Sequence, residues 1–183
     1  MRRCLIVVVG LLLATATVTA EAPKLGVGLS GGLDWPLLQE DQGNGTVFSF
    51  RGRIEIAPIL VVEPNLTLVN WGDPDLGIPG VTNDLEGASV TAFGVDGLLR
   101  IPMGSPTSGP FALAGVGFYK VKRDQTNLDE TRFGLAGGLG FAFGINPAIS
   151  ADLRGKLHVI PMPAGGSKKS LSAMLGVNYT FGM

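Results

Sequence analysis

Charged side chains recur two or four residues apart in several segments of this 183-residue chain, and that spacing decides what chemistry they can do. Arg51, Arg53 and Glu55 form one run, Asp96 and Arg100 another, and Asp152, Arg154, Lys156 and His158 a third, with Lys120, Lys122 and Arg132 on further segments. Alternate residues of an extended strand share one face. Where these segments are strands, their charges meet on common faces, and if those faces enclose a space the charges must pair, because an unpaired buried charge is costly. Two roles follow: a salt-bridge network that holds the enclosed space shut, or the polar lining of a narrow passage. The set contains nine bases, His158 included, against three acids, so a passage built from it would be somewhat basic.

Other constellations fall away on inspection. His158 is the one histidine and Cys4 the one cysteine, too few soft ligands for a transition-metal site. The glycines of Gly134 to Gly144 superficially suit a phosphate-binding loop, but they recur every second residue and open no helix. Asp73-Pro74-Asp75 and Asn83-Asp84-Leu85-Glu86 offer oxygen ligands for Ca²⁺ without the spacing of a calcium-binding loop, and read as solvated loop acids. No catalytic residue, cofactor site or metal site is expected.

The elements that must position the charges are strands. From Arg132 to Ile145 one face carries Phe133, Leu135, Gly137, Leu139, Phe141, Phe143 and Ile145, and the other Arg132 and a row of Gly and Ala. The segments from Ala148 to Val159 and from Ser170 to Phe181 alternate as regularly. Period-two alternation over 12 to 14 residues is long for a strand in a soluble protein and suits a tilted strand crossing a bilayer. Eight strands are expected, at about 24–35, 46–62, 66–72, 89–101, 110–122, 131–145, 148–160 and 170–181. In the noisy stretch from Ala57 to Trp71, Val62-Glu63-Pro64-Asn65 echoes Ile145-Asn146-Pro147-Ala148, which predicts a tight turn at 63–65 and leaves Pro58 as a bend in a long strand. In the fifth strand Phe111, Leu113, Tyr119 and Val121 are read as the apolar face against Ala112, Ala114, Lys120 and Lys122. The joints at 36–45, 73–88, 123–130 and 161–169 are longer and polar; those at 63–65 and 146–147 are tight, with 102–109 intermediate.

Composition agrees with this class. The chain is 45% hydrophobic and 16% charged with 28 glycines, yet beyond its first twenty residues no apolar run approaches the roughly 18 to 20 residues of a spanning helix. At the start, Arg2 and Arg3, the apolar stretch Leu5 to Leu13 and Thr17-Val18-Thr19-Ala20 have the form of a secretory signal peptide over 1–20, leaving 21–183 as one barrel domain. Loss of that segment removes Cys4, and with it any disulfide or thiol chemistry, and takes the formal charge from −1 to −3. Nucleic acid is not an expected partner.

Alternation alone does not say whether the apolar face meets lipid or fills an interior. The non-apolar face is crowded with Gly, Ala and Ser, as suits a narrow lumen. Trp35, Phe48, Trp71, Tyr119 and Phe133 fall near the loop ends and Phe111, Phe143, Tyr179 and Phe181 near the other, like two aromatic girdles. His158 falls on the lumen face, away from any lipid-facing serine, which disfavours a Ser-His-acid hydrolase acting on membrane lipid. The final segment Gly176-Val177-Asn178-Tyr179-Thr180-Phe181 has a G-x-x-Φ-x-Φ form.

On these features the chain resembles the small outer-membrane barrels of the OmpA/OmpX/opacity type. The resemblance implies that Gly176, Tyr179 and Phe181 are read by the barrel-assembly machinery. Leu175 before the signal and Gly182-Met183 after it depart from the usual pattern. The expectation is therefore an all-β, eight-stranded, antiparallel, up-and-down transmembrane β-barrel in the outer membrane. It is expected to be monomeric, to need no cofactor, and to meet membrane lipid and lipopolysaccharide, its acidic loops offering bridges through divalent ions. A non-enzymatic structural or surface-interaction role through the external loops leads; a narrow porin-like channel is the alternative, and a secreted soluble ligand-binding barrel comes third.

Overall fold

A computed structural model describes residues 23–37, 43–72, 88–101, 103, 107–123, 128–161 and 166–181. Eight strands follow in chain order: β1 Lys24–Leu37, β2 Gly45–Ala57, β3 Leu60–Trp71, β4 Ser89–Arg100, β5 Gly109–Arg123, β6 Leu128–Gly144, β7 Ile149–Pro161 and β8 Ser167–Thr180. Each pairs antiparallel with its sequence neighbour, and β1 pairs with β8 to close the barrel. Closure leaves no strand with an unpaired edge, the condition for crossing lipid with strands. The expected signal peptide, Asp73-Pro74-Asp75 and Asn83 to Glu86 lie outside the described residues.

The two ends differ. At one end β2–β3 and β6–β7 are joined by the tight connections 58–59 and 145–148 and β4–β5 by the intermediate 101–108, and the first and last strands begin and end there. In the β6–β7 turn, where a tight x-Pro-x turn is expected at 146–147, the Asn146 side chain accepts hydrogen bonds from the N–H groups of Ala148 and Ile149 at 2.9 and 2.8 Å, an Asx-type arrangement. At the other end the connections are 38–44, 72–88, 124–127 and 162–166, of which 72–88 is much the longest and 124–127 and 162–166 are shorter than the joints expected at 123–130 and 161–169.

Pro64 is a correction. The turn falls at Pro58 and Ile59, and Pro64 lies inside β3, level with Val95 of β4. The β2–β3 ladder skips Gly52 and Arg53 beside the proline and resumes in the same register, from Arg51↔Asn65 to Ile54↔Val62. Opposite the proline stands Gly52, where a Cβ would lie 3.2 Å from Pro64 Cγ. A missing side chain on one strand thus accommodates the ring, and a missing N–H on the other is tolerated. The echo between 62–67 and 145–150 marks a turn only at its second copy.

The faces follow the expected parity in six strands, β1, β2, β4, β6, β7 and β8. Leu139, Leu175 and Phe93 look outward, 70%, 69% and 66% exposed, and burying such side chains in acyl chains is what makes a barrel of this pattern stable in a bilayer. In β5 the parity is reversed: Phe111, Leu113 and Tyr119 are buried inside, whereas Ala112, Ala114, Val116 and Phe118 face out. Trp71 also points inward. The aromatic girdles therefore lose Trp71, Tyr119 and Phe111 to the interior, and the outward aromatics near the loop end gain Phe93 and Phe118.

Candidate functional site: the barrel interior

The interior is stacked in three layers along the axis. Nearest the short turns, Val61, Leu98, Phe111, Leu113 and Ala142 form an apolar cluster. Nearest the loops, Val47, Val69, Trp71, Ala88, Val90, Ala92, Tyr119, Ile160 and Met174 form another. Between them lies the ionic layer, set on β2, β3, β4 and β7 by alternate inward residues.

Glu63, fully buried, is the hub of that layer. Its carboxylate lies 2.9 Å from Nη1 of Arg154, 3.7 Å from Nη1 of Arg51 and 3.4 Å from Nε of Arg53. Asp152 is the second hub: Arg154 donates to both its oxygens at 2.8 and 3.1 Å, Arg51 Nη2 donates at 3.2 Å, and Asn178 Nδ2 donates at 2.7 Å. The Arg154 guanidinium also lies 5.4 Å from the centre of the Phe111 ring, on the lower apolar layer. Around these, Lys156 pairs with Asp96 at 2.6 Å, which also accepts from Asn65 at 3.0 Å. Arg100 pairs with Glu55 at 2.6 Å towards the turn end. Bidentate and branched pairing of this kind suits guanidinium forks and offsets the cost of removing the charges from water.

The inward glycines are the counterpart of the arginines. A Cβ at Gly176 would come within 2.5 Å of Arg51 Nη2, one at Gly28 within 2.4 Å of Asn178 Oδ1, and one at Gly140 within 2.3 Å of the Phe111 ring. Their missing side chains are the space the large groups fill.

A separate polar cluster sits in the loop-end layer. Asp34 accepts from Trp71 Nε1 at 2.6 Å and from Ser172 Oγ at 2.5 Å. Tyr119 Oη and His158 Nδ1 are 2.9 Å apart. Ser170 stands opposite His158 in register on β8 and is buried with it.

Of the twelve charged residues expected in the lumen, Arg51, Arg53, Asp96, Arg100, Asp152, Arg154, Lys156 and His158 are buried there, and Glu55 is nearly so. Arg132 lies at the mouth, paired with Glu130 at 2.6 Å. Lys120 and Lys122 are corrections: the reversed parity of β5 puts both on the outer surface near the loop end. Two acids missing from that expectation, Glu63 and Asp34, are wholly buried inside. Glu63 falls outside that expectation because a turn at 63–65 takes it out of the strand pattern; its parity with Val61, Asn65 and Thr67 is the signal that places it inside. Away from the rims, the ionic side chains among the described residues are thus Arg51, Arg53, Arg100, Arg154 and Lys156 against Asp34, Glu55, Glu63, Asp96 and Asp152. The expected excess of bases disappears. Among the described residues no group of three or more His, Cys, Asp or Glu is placed to hold a metal ion.

Gly176 is inward against Arg51, while Tyr179 and Phe181 face out and pack edge to face, ring centres 5.1 Å apart.

Residues 6–181 match the family described as outer membrane protein beta-barrel domain. The chain belongs to that family. It is an outer-membrane β-barrel protein, and in such barrels the short turns face the periplasm and the longer loops the exterior. Solved structures agree on the fold. Neisserial surface protein A is 13% identical, with 88% of this chain and 98% of that one covered at a TM-score of 0.65. Ail, the attachment invasion locus protein of Yersinia pestis, is 18% identical, with 87% and 97% covered at 0.51. The N-terminal β-barrel domain of Pseudomonas aeruginosa OprF is 11% identical, with 87% and 99% covered at 0.54. No curated protein matches the sequence.

Proposed function

We propose that this barrel is a closed, non-conducting and non-enzymatic outer-membrane protein that acts at the cell surface through its external loops. The observation that carries the reading is the sandwiched interior, in which Arg51, Arg53, Arg154 and Lys156 pair with Glu63, Asp96 and Asp152 between two apolar layers, with Arg100–Glu55 towards the turn end. An ion entering would have to cross an apolar constriction at either end and then displace a buried ion pair, each step costing several kcal/mol. Eight-stranded barrels have an interior that side chains just fill, and here the filling is balanced in charge, which removes the basis for a basic passage.

The same geometry speaks against hydrolysis. His158 and Ser170 are enclosed, Asp34 is engaged by Ser172 and Trp71 instead of His158, and no substrate from the lipid face reaches them. In this reading the barrel is a monomer embedded in lipid and lipopolysaccharide, delivered by an assembly machinery that reads the outward Tyr179 and Phe181. Ail is named for attachment and invasion, and a contact role of that kind fits a plugged scaffold that presents its loops at one end.

The test is solute flux. Proteoliposomes carrying the refolded chain are expected to swell no faster than empty liposomes in isotonic arabinose or glycine, beside a porin control that swells readily. Swelling that scales with the amount of folded barrel would sink the closed-scaffold reading in favour of a channel.

A further inference from the structure

The two lysines displaced from the interior belong to an ordered patch on the outer surface. Register places Ser89 beside Lys122, Thr91 beside Lys120 and Phe93 beside Phe118 on β4 and β5. On the other side, Lys120 pairs with Thr131 and Phe118 with Phe133 on β6, while Lys122 lies opposite Asp129. Three rows therefore run across three strands. The lowest is Phe93–Phe118–Phe133, with every ring more than half exposed and Phe118 and Phe133 edge to face at 5.9 Å. Above it stands Thr91–Lys120–Thr131, and above that Ser89–Lys122–Asp129 at the rim, so the two lysines share their rows with one acid. The threonines, Ser89 and Lys122 are exposed, and Lys120 is half-buried.

Aromatic side chains mark the level where hydrocarbon gives way to head groups. The lysines and hydroxyls stand immediately beyond that level, at the external end. Cations flanked by hydroxyl donors hold phosphate oxygens well, and a ring row beneath them offers acyl chains a flat apolar bed. We propose that this face of β4–β5–β6 is a docking site for a phosphorylated glycolipid of the outer leaflet, its phosphate on Lys120 and Lys122 and its acyl chains on the phenylalanine row. The proposal rests on the reading that the loop end faces outward, and it is independent of whether the lumen conducts.

The experiment uses the whole folded barrel in phosphatidylcholine nanodiscs, titrated with bis-phosphorylated lipid A, dephosphorylated lipid A or phosphatidylglycerol, with bound lipid counted by native mass spectrometry. Bis-phosphorylated lipid A is expected to bind the wild type, and the Lys120→Gln/Lys122→Gln double variant to bind about tenfold more weakly, since each cation near a membrane surface contributes a small but additive attraction. Lys168→Gln/Lys169→Gln removes the same charge from β8, away from the patch, and is expected to leave binding within about twofold of the wild type. Gel mobility of the unheated protein verifies that each variant is folded. Equal binding by the wild type and the Lys120/Lys122 variant overturns the proposal. So does an equal loss in both double variants, which would mean bulk charge, or equal binding of phosphatidylglycerol, which would mean no preference for the glycolipid phosphate. A conducting lumen would end the closed-scaffold reading and leave these outcomes untouched.

Discussion

Glu63 shows how much one buried carboxylate can organise. Three guanidinium groups converge within 2.9 to 3.7 Å of it, and only Asp152 shares the task of compensating them. Glu63→Ala would leave Arg51, Arg53 and Arg154 facing a single carboxylate in a layer flanked by two apolar clusters. The expected loss is about 3 to 5 kcal/mol of folding free energy, as for a buried pair deprived of one partner. Urea titration of the barrel in vesicles, followed by tryptophan emission and by the mobility of unheated protein on gels, measures it; a change under about 1 kcal/mol would mean that water reaches the ionic layer. Gly176 belongs to the same scale. The resemblance gives it a part in an assembly signal, and the geometry gives it another, because any Cβ there meets Arg51 and Asp152.

At the scale of the element, what was legible depended on whether the two faces of a strand differ in kind. In β6, β7 and β8 one face is bulky and apolar and the other small or charged, so period-two alternation fixed strand, face and lumen residues together. In β5 both faces are mixed: Phe111, Leu113 and Tyr119 on one, Ala112, Ala114, Val116 and Phe118 on the other. The lysines of that strand looked like lumen charges because Lys120 and Lys122 share a parity with two alanines. The countersign was Gly115 and Gly117, which share the parity of Phe111 and mark the crowded inner face; a Cβ at Gly115 would meet Asp96 within 2.0 Å. The β2–β3 hairpin failed for a different reason, since proline normally ends a central strand and the compensation at Gly52 is visible only once the strands are paired. The reversed parity is itself testable. Ala114→Arg places a guanidinium on the lipid face near the middle of β5 and is expected to cost about 2 to 4 kcal/mol, measured by reversible folding into lipid vesicles. A neutral or stabilising outcome would put Ala114 back inside.

At the scale of the molecule, the barrel, its strand order and its eight strands followed from alternation and from the difference between long and short joints, and the family match over residues 6–181 places it in the outer membrane. The content of the lumen did not follow. A list of inward charges weighted towards bases suggests a passage; the folded interior has five acids and five bases among the described residues, because Lys120 and Lys122 face out, Arg132 sits at the mouth, Glu63 and Asp34 face in, and His158, bonded to Tyr119, is left out of the count. The balance depends on which strand supplies which parity, a relation among all eight strands that no single segment carries. Single-channel recording from the purified full-length barrel in planar bilayers tests this most directly. A closed, charge-balanced interior predicts a baseline indistinguishable from the bare membrane in 1 M salt (roughly the ionic strength at which exposed charges are screened), with steps emerging only in Glu63→Ala. Steady, anion-selective steps from the wild-type protein would contradict it.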